Sequence, residues 1–160
     1  MERITGKFDE FCPLKITSEG IEVSFDYERS ANGSDLATWV CLTLPEGSTI
    51  RHIKRVIITS LNELTKERIL RLFMWKGRQV WLSQENQFNY KAAYDLAVQT
   101  DGENLPVTFK FGNDERPFYY EFKTKSELEE FYLSMQKFIN EQIAIGWAKK
   151  DSINWDDYKL

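Results

Sequence analysis

The chain has 160 residues, with 25 acidic and 21 basic side chains, one histidine and a formal net charge of −4. That length fits one domain, or one domain with a small appendage, and a chain of this size buries roughly two-thirds of its unfolded surface without a metal or disulfide. The acidic balance argues against a nucleic-acid partner, which needs a denser basic footprint, and no apolar run approaches the length of a membrane span.

In chain order, residues 1–20 form a mixed segment broken at Pro13 and Gly20, with Phe8, Phe11 and Leu14 placed to pack onto the rest. Ile21 to Tyr27 alternates apolar and polar residues, the pattern of a half-buried strand. The following ERSANGSD holds Asn32-Gly33 and predicts a turn. A second strand runs from about Ala37 to Leu44 and stops at Pro45 and Gly47. Ser48 is the expected N-cap of a helix in which Ile50, Ile53, Val56 or Ile57, and Leu61 or Leu64 recur at helical spacing, ending near Asn62 or Leu64. Arg51, His52, Lys54 and Arg55 fall on the solvated side of this helix.

Ile69–Trp75 and Gln79–Leu82 then predict a hairpin turning at Lys76-Gly77. The next stretch, VWLSQENQFNYKAAYDLA from Val80 to Ala97, is the most sharply specified of the chain. Its apolar run stops at Ser83, a good N-cap, and Glu85 sits near the positive end of the helix dipole. Phe88, Ala92 and Leu96, with neighbouring Ala93 and Ala97, predict the buried face of a helix ending near Thr100. Val107–Phe111 and Phe118–Phe122 are two further alternating strands joined by Gly112–Pro117. Thr124 and Glu127 form a capping box before a long helix with Leu128, Phe131, Met135, Phe138 or Ile139, Ile143 and Trp147 as its apolar stripe. Beyond Lys150 a short tail is expected, anchored by Ile153 and Trp155.

The pattern is two strands and a helix, three times over: a ββα-ββα-ββα rhythm with helices packed on antiparallel hairpins, an α+β fold. The chain is taken as a single domain over 1–160, with an alternative division into an N-terminal part, 1–64, and a C-terminal part, 65–155.

Chemistry is hard to find. His52 has no sequence partners for a metal site, and Cys12 and Cys41 become nucleophiles only if His52 folds beside them. The two sparse thiols could pair if brought together, but are more readily small buried residues in a reducing compartment. The opening MERITGKFDEF lacks the apolar core of a signal peptide, which points to a cytosol. Gly77, Gly102 and Gly112 are single turn glycines and not a phosphate-cradling loop. Glu129-Glu130 and Asp156-Asp157 are adjacent acids with no cleft geometry implied. No catalytic, cofactor or metal residue is assigned. Aromatic content is high at 14%, and rings serve both cores and interfaces. Trp75 and Trp81 flank one hairpin, where they either pack or contact a sugar or protein; with Trp155 they are the candidate interface aromatics.

From Ile50 onward the chain resembles a family of phage-encoded domains of unknown function. These occur in tail-fibre and tail-assembly proteins of gut-bacterial phages and prophages. The resemblance is carried by VWLSQENQFNYKAAYDLA, by LPVTFKFG at Leu105–Gly112, by FYYEF and by IGWAKKDSINW at Ile145–Trp155, with a less specific likeness at Phe11–Thr17. It implies a non-enzymatic virion or tail structural or assembly protein, working through contacts with tail or fibre proteins or with itself. It implies a place in the bacterial host cytoplasm during assembly, with the virion as the alternative; the absence of a membrane or nucleic-acid partner is expected from charge and hydropathy instead. A tail-fibre assembly chaperone and a receptor- or carbohydrate-binding module are the alternatives.

Overall fold

The structure is a computed structural model that describes residues 1–31, 34–112 and 115–160; the expected Asn32-Gly33 turn and the centre of the Gly112–Pro117 connection lie outside these. The described elements are β1 (Glu2–Lys7), β2 (Leu14–Thr17), β3 (Gly20–Arg29), β4 (Leu36–Leu44), α1 (Ile50–Leu72), β5 (Met74–Trp75), β6 (Arg78–Gln79), α2 (Gln84–Gln99), β7 (Val107–Gly112), β8 (Pro117–Phe122) and α3 (Lys125–Asp151). Short 3-10 turns occupy Phe8–Glu10 and Trp155–Tyr158. The fold is α+β and its described strand pairs are antiparallel. The threefold rhythm holds only roughly, because four strands precede α1.

The chain divides into two compact units. The first comprises Met1–Glu63 with Gly146–Leu160, and the second Leu64–Ile145. The division along the chain falls between Glu63 and Leu64, and residues 146–160 group with the first unit.

In the first unit the strands lie in the order β1-β4-β3-β2. β4 and β3 are the inner strands, and in β3 consecutive Val23, Ser24 and Phe25 are all buried, so its middle is covered on both faces. β1 and β2, which the sequence pattern left within a mixed segment, are the edges. Edge strands carry polar residues that discourage further pairing, and this removes the alternation by which a strand is recognised. Ile53, Ile57 and Leu61 of α1 form a single buried stripe at i, i+4, i+8. The N-cap is Thr49, one residue later than expected: its Oγ1 accepts from the His52 amide at 3.3 Å, while the Ser48 hydroxyl donates to the Pro45 carbonyl at 2.8 Å.

α1 continues to Leu72, so the strand expected over Ile69–Trp75 shrinks to Met74–Trp75. Neither glycine nor proline occurs between Thr49 and Lys76 to stop the helix, and Glu67 pairs with Arg71 at i, i+4 across 2.8 Å. Val80-Trp81-Leu82 is likewise no strand. It is an extended run whose Val80 and Leu82 amides donate to the Phe73 and Leu70 carbonyls at 2.9 and 3.0 Å.

The second unit has one core in which α3 contributes Leu128, Phe131 and Met135 and β7–β8 contribute Phe109, Phe111 and Phe122. Phe131 is its centre, with six rings 5.0 to 6.1 Å away: Phe122, Tyr90, Trp75, Phe111, Phe73 and Phe109. Thr124 caps α3 as expected, accepting from the Glu127 amide at 3.3 Å.

Candidate functional site

α2 has two apolar faces. Ser83 caps it, with Oγ accepting from the Asn86 amide at 3.1 Å, and the helix ends at Thr100 as its sequence signals indicate. The buried face, however, is Tyr90, Ala93, Tyr94 and Ala97, which pack into the core; Tyr94 also stacks on Tyr132 at 4.5 Å. Phe88, Ala92 and Leu96, expected to be buried, point the other way: Phe88 is 72% exposed and Leu96 46%. At 100° per residue, the two stripes lie on opposite sides of the helix. Periodicity cannot choose between two stripes of equal spacing; the larger area of two tyrosines and a ring-lined core decides.

The candidate aromatics separate. Trp75 is 5% exposed, in edge-on contact with Phe131 at 5.3 Å, so it is a core residue and offers no face to a partner. Trp81 is 37% exposed and lies under the Arg71 guanidinium at 5.4 Å. Trp155 is half-buried beneath the Lys54 ammonium at 5.1 Å. The tail's principal anchor is Tyr158, absent from the sequence expectation: it is 5% exposed and donates to the Ser24 carbonyl at 2.7 Å, and burial pushes its phenol up to about 12. Its signal was the three-residue spacing from Trp155, which suits a 3-10 turn. Trp147, expected on the buried stripe of α3, is 60% exposed.

Two ionic clusters remain. In the first unit Asp26, whose side chain is wholly buried, receives Arg3 at 2.5 Å and also Lys149, which reaches Glu28 as well. Asp26 sits at the break in β3–β4 register with φ +56°, a conformation disfavoured for residues with a Cβ, and it borders a recess of about 300 Å³. In the second unit Glu127 accepts from Lys76 and from the Tyr120 hydroxyl, each at 2.5 Å. Both bonds fall on one oxygen, Oε1. The bond to Lys76, then that to Tyr120, holds the Glu127 carboxyl below its usual range, and the bond to Glu127 raises Lys76. A further recess of about 520 Å³ has apolar walls of Ile69, Leu82, Ile139 and Ile143, and Gln87 on its polar side already donates to the Leu82 carbonyl at 2.8 Å.

These arrangements hold charges in place rather than loosen them. Lys76, Lys91 and Lys125 are all raised by hydrogen bonds to acids, and Asp101 and Glu127 are lowered by bonds to lysines. Tyr90 is pushed up to about 12 by burial. Each shift moves away from neutrality, the reverse of what a general acid or base needs. Half-buried His52 has Nδ1 3.2 Å from the Ser48 hydroxyl, Cys12 is exposed and Cys41 half-buried, both as free thiols. Among the described residues no three His, Cys, Asp or Glu side chains group as metal ligands, and no helix is long and apolar enough to cross a membrane.

No protein-family model, curated protein or solved structure matches the chain.

Proposed function

We propose that this chain is a non-enzymatic phage virion or tail protein, fibre-associated and structural or assembly in role, that acts through protein–protein contacts. The observation that carries the reading is the uncovered α2 face, with Phe88 72% and Leu96 46% exposed directly opposite the helix's core face. A phenylalanine and a leucine exposed in one helical row offer a partner an apolar contact point. The row lies within the stretch that carries the resemblance to tail-fibre and tail-assembly domains.

The size of the face bears on how it is used. Phe88 and Leu96 together expose on the order of 200 Å², from side-chain areas of 150–250 Å² for large rings. A stable pairwise interface needs about 800 Å² per partner. The face therefore anchors one of several contacts with tail or fibre proteins in a multi-subunit assembly, where linked weak contacts reinforce one another.

Mass spectrometry of purified virions, alongside co-expression with the neighbouring fibre gene, tests the proposal. Either stoichiometric presence in virions or a raised soluble yield of fibre supports it, the second selecting the chaperone form. Absence from virions together with no effect on the fibre overturns it.

A further inference from the structure

The β5–β6 hairpin presents a surface distinct from the α2 face. At its tip Lys76 and Gly77 have φ +46° and +75°, the doubly positive turn whose twist matches antiparallel strands. β6 lies beside β7, and next to the hairpin is a recess of about 370 Å³ whose walls include Met74, Arg78, Gly112, Arg116 and Phe118. Gly112 fixes one side: its φ is +80°, and a Cβ there would lie 2.4 Å from the Arg116 carbonyl oxygen.

The described lining of the recess is basic in composition, in an otherwise acidic chain. Two arginines line it and, among the described residues, no carboxylate does. Arg71, Lys76, Lys91 and Lys125 of the same unit each hold an acid. Arg78 holds none among the described residues; its guanidinium rests 4.5 Å above the Phe118 ring. Stacking on a ring restrains the guanidinium plane while leaving its N–H edge available, which suits two-point recognition of a carboxylate. Arg116 also lines the recess but is engaged in an interaction of its own, so recognition rests on Arg78. Met74, 54% exposed, and Phe118 provide apolar surface for the aliphatic stems of acidic side chains. Gln79 contributes no free amide, since Nε2 donates to the Arg71 carbonyl at 2.6 Å.

We propose that this recess docks an Asp/Glu-rich segment of a partner protein, with Arg78 as the principal carboxylate contact. The assignment stands whether or not the α2 face is an interface.

Fluorescence anisotropy of the full chain with a labelled hexaglutamate peptide tests it. Binding is expected at about 0.01 M salt, where charges act over about 30 Å, and should weaken markedly at about 0.1 M, where they act over about 10 Å. Arg78→Gln should weaken binding about five- to tenfold with an unchanged circular dichroism spectrum, and Arg78→Lys should restore only part of it. Arg29→Gln removes the same charge from another ring-stacked arginine, 4.7 Å over Phe8 in the first unit, and should leave binding within about twofold. Equal losses from Arg78→Gln and Arg29→Gln overturn the proposal, since net charge alone would then explain them. It is also overturned by no binding at low salt, by full competition from millimolar inorganic phosphate, or by tighter binding of a single-stranded oligonucleotide.

Discussion

Replacing Phe131 by alanine should remove the keystone of the second unit. The side chain is wholly buried and touches six other rings, themselves held in place by one another. A buried Phe→Ala change costs about 3–5 kcal/mol, and the upper half applies where rigid neighbours cannot close the cavity. Set against a total stability of about 5–15 kcal/mol, about 4 kcal/mol is a large fraction. With a urea m value of about 2 kcal/mol/M, the midpoint should fall by about 2 M. Phe88→Ala is the matched control: the same substitution on an exposed ring, expected to change stability by less than about 0.5 kcal/mol. Urea titrations followed by circular dichroism and tryptophan fluorescence measure both. A Phe88 effect as large as that of Phe131, or a Phe131 shift below about 0.5 M, would refute the assignment of core and surface.

Ser83→Ala should cost about 1 kcal/mol in the same titration, because the Asn86 amide loses its acceptor. Asp26→Ala should cost about 2–3 kcal/mol. This is less than for a fully buried pair, since Arg3 is 41% exposed and Lys149 keeps Glu28, and Asp26→Asn should be milder because asparagine tolerates a positive φ. Proteolysis can follow this change through faster release of residues 146–160. Stability carried by Glu127 is fully present above the ordinary carboxylate range and is lost as pH falls through the group's lowered value. That carried by Lys76 is present below the ordinary lysine range and is lost as pH rises through its raised value. Glu127→Gln should therefore flatten both limbs of a melting-temperature profile against pH, and unchanged limbs would count against the cluster. Cys12 should react with a maleimide faster than Cys41, as read by mass spectrometry, because it is the more exposed thiol.

What could be read from the chain depended on whether the signal was local. Ser83 and Thr124 start helices through bonds to amides three residues away, and both were legible. The β3–β4 and β7–β8 pairings showed in the alternation of their residues. The far end of α1 was obscured because Ile69–Trp75 carries apolar residues that suit a strand as well as a helix, and only the lack of a breaker favours the helix. β1 pairs with β4 across the sheet, Arg3 opposite Val40, a contact with no local trace. The Lys76–Tyr120–Glu127 cluster joins residues 44 and 51 positions apart, and Arg78 meets Phe118 in the same manner. The α2 face was misassigned because Phe88-Ala92-Leu96 and Tyr90-Ala93-Tyr94-Ala97 have equivalent spacing, and only the ring-lined core breaks the tie.

Hydroxyl-radical footprinting of the free chain and of the chain within assembled tails or fibre complexes asks most directly whether α2 keeps one face for its own core and the other for a partner. Phe88 and Leu96 should be oxidised readily in the free chain and protected in the assembly, with Tyr90 protected in both. Oxidation of Phe88 at the same rate in both states, or of Tyr90 as readily as Phe88, would contradict the account.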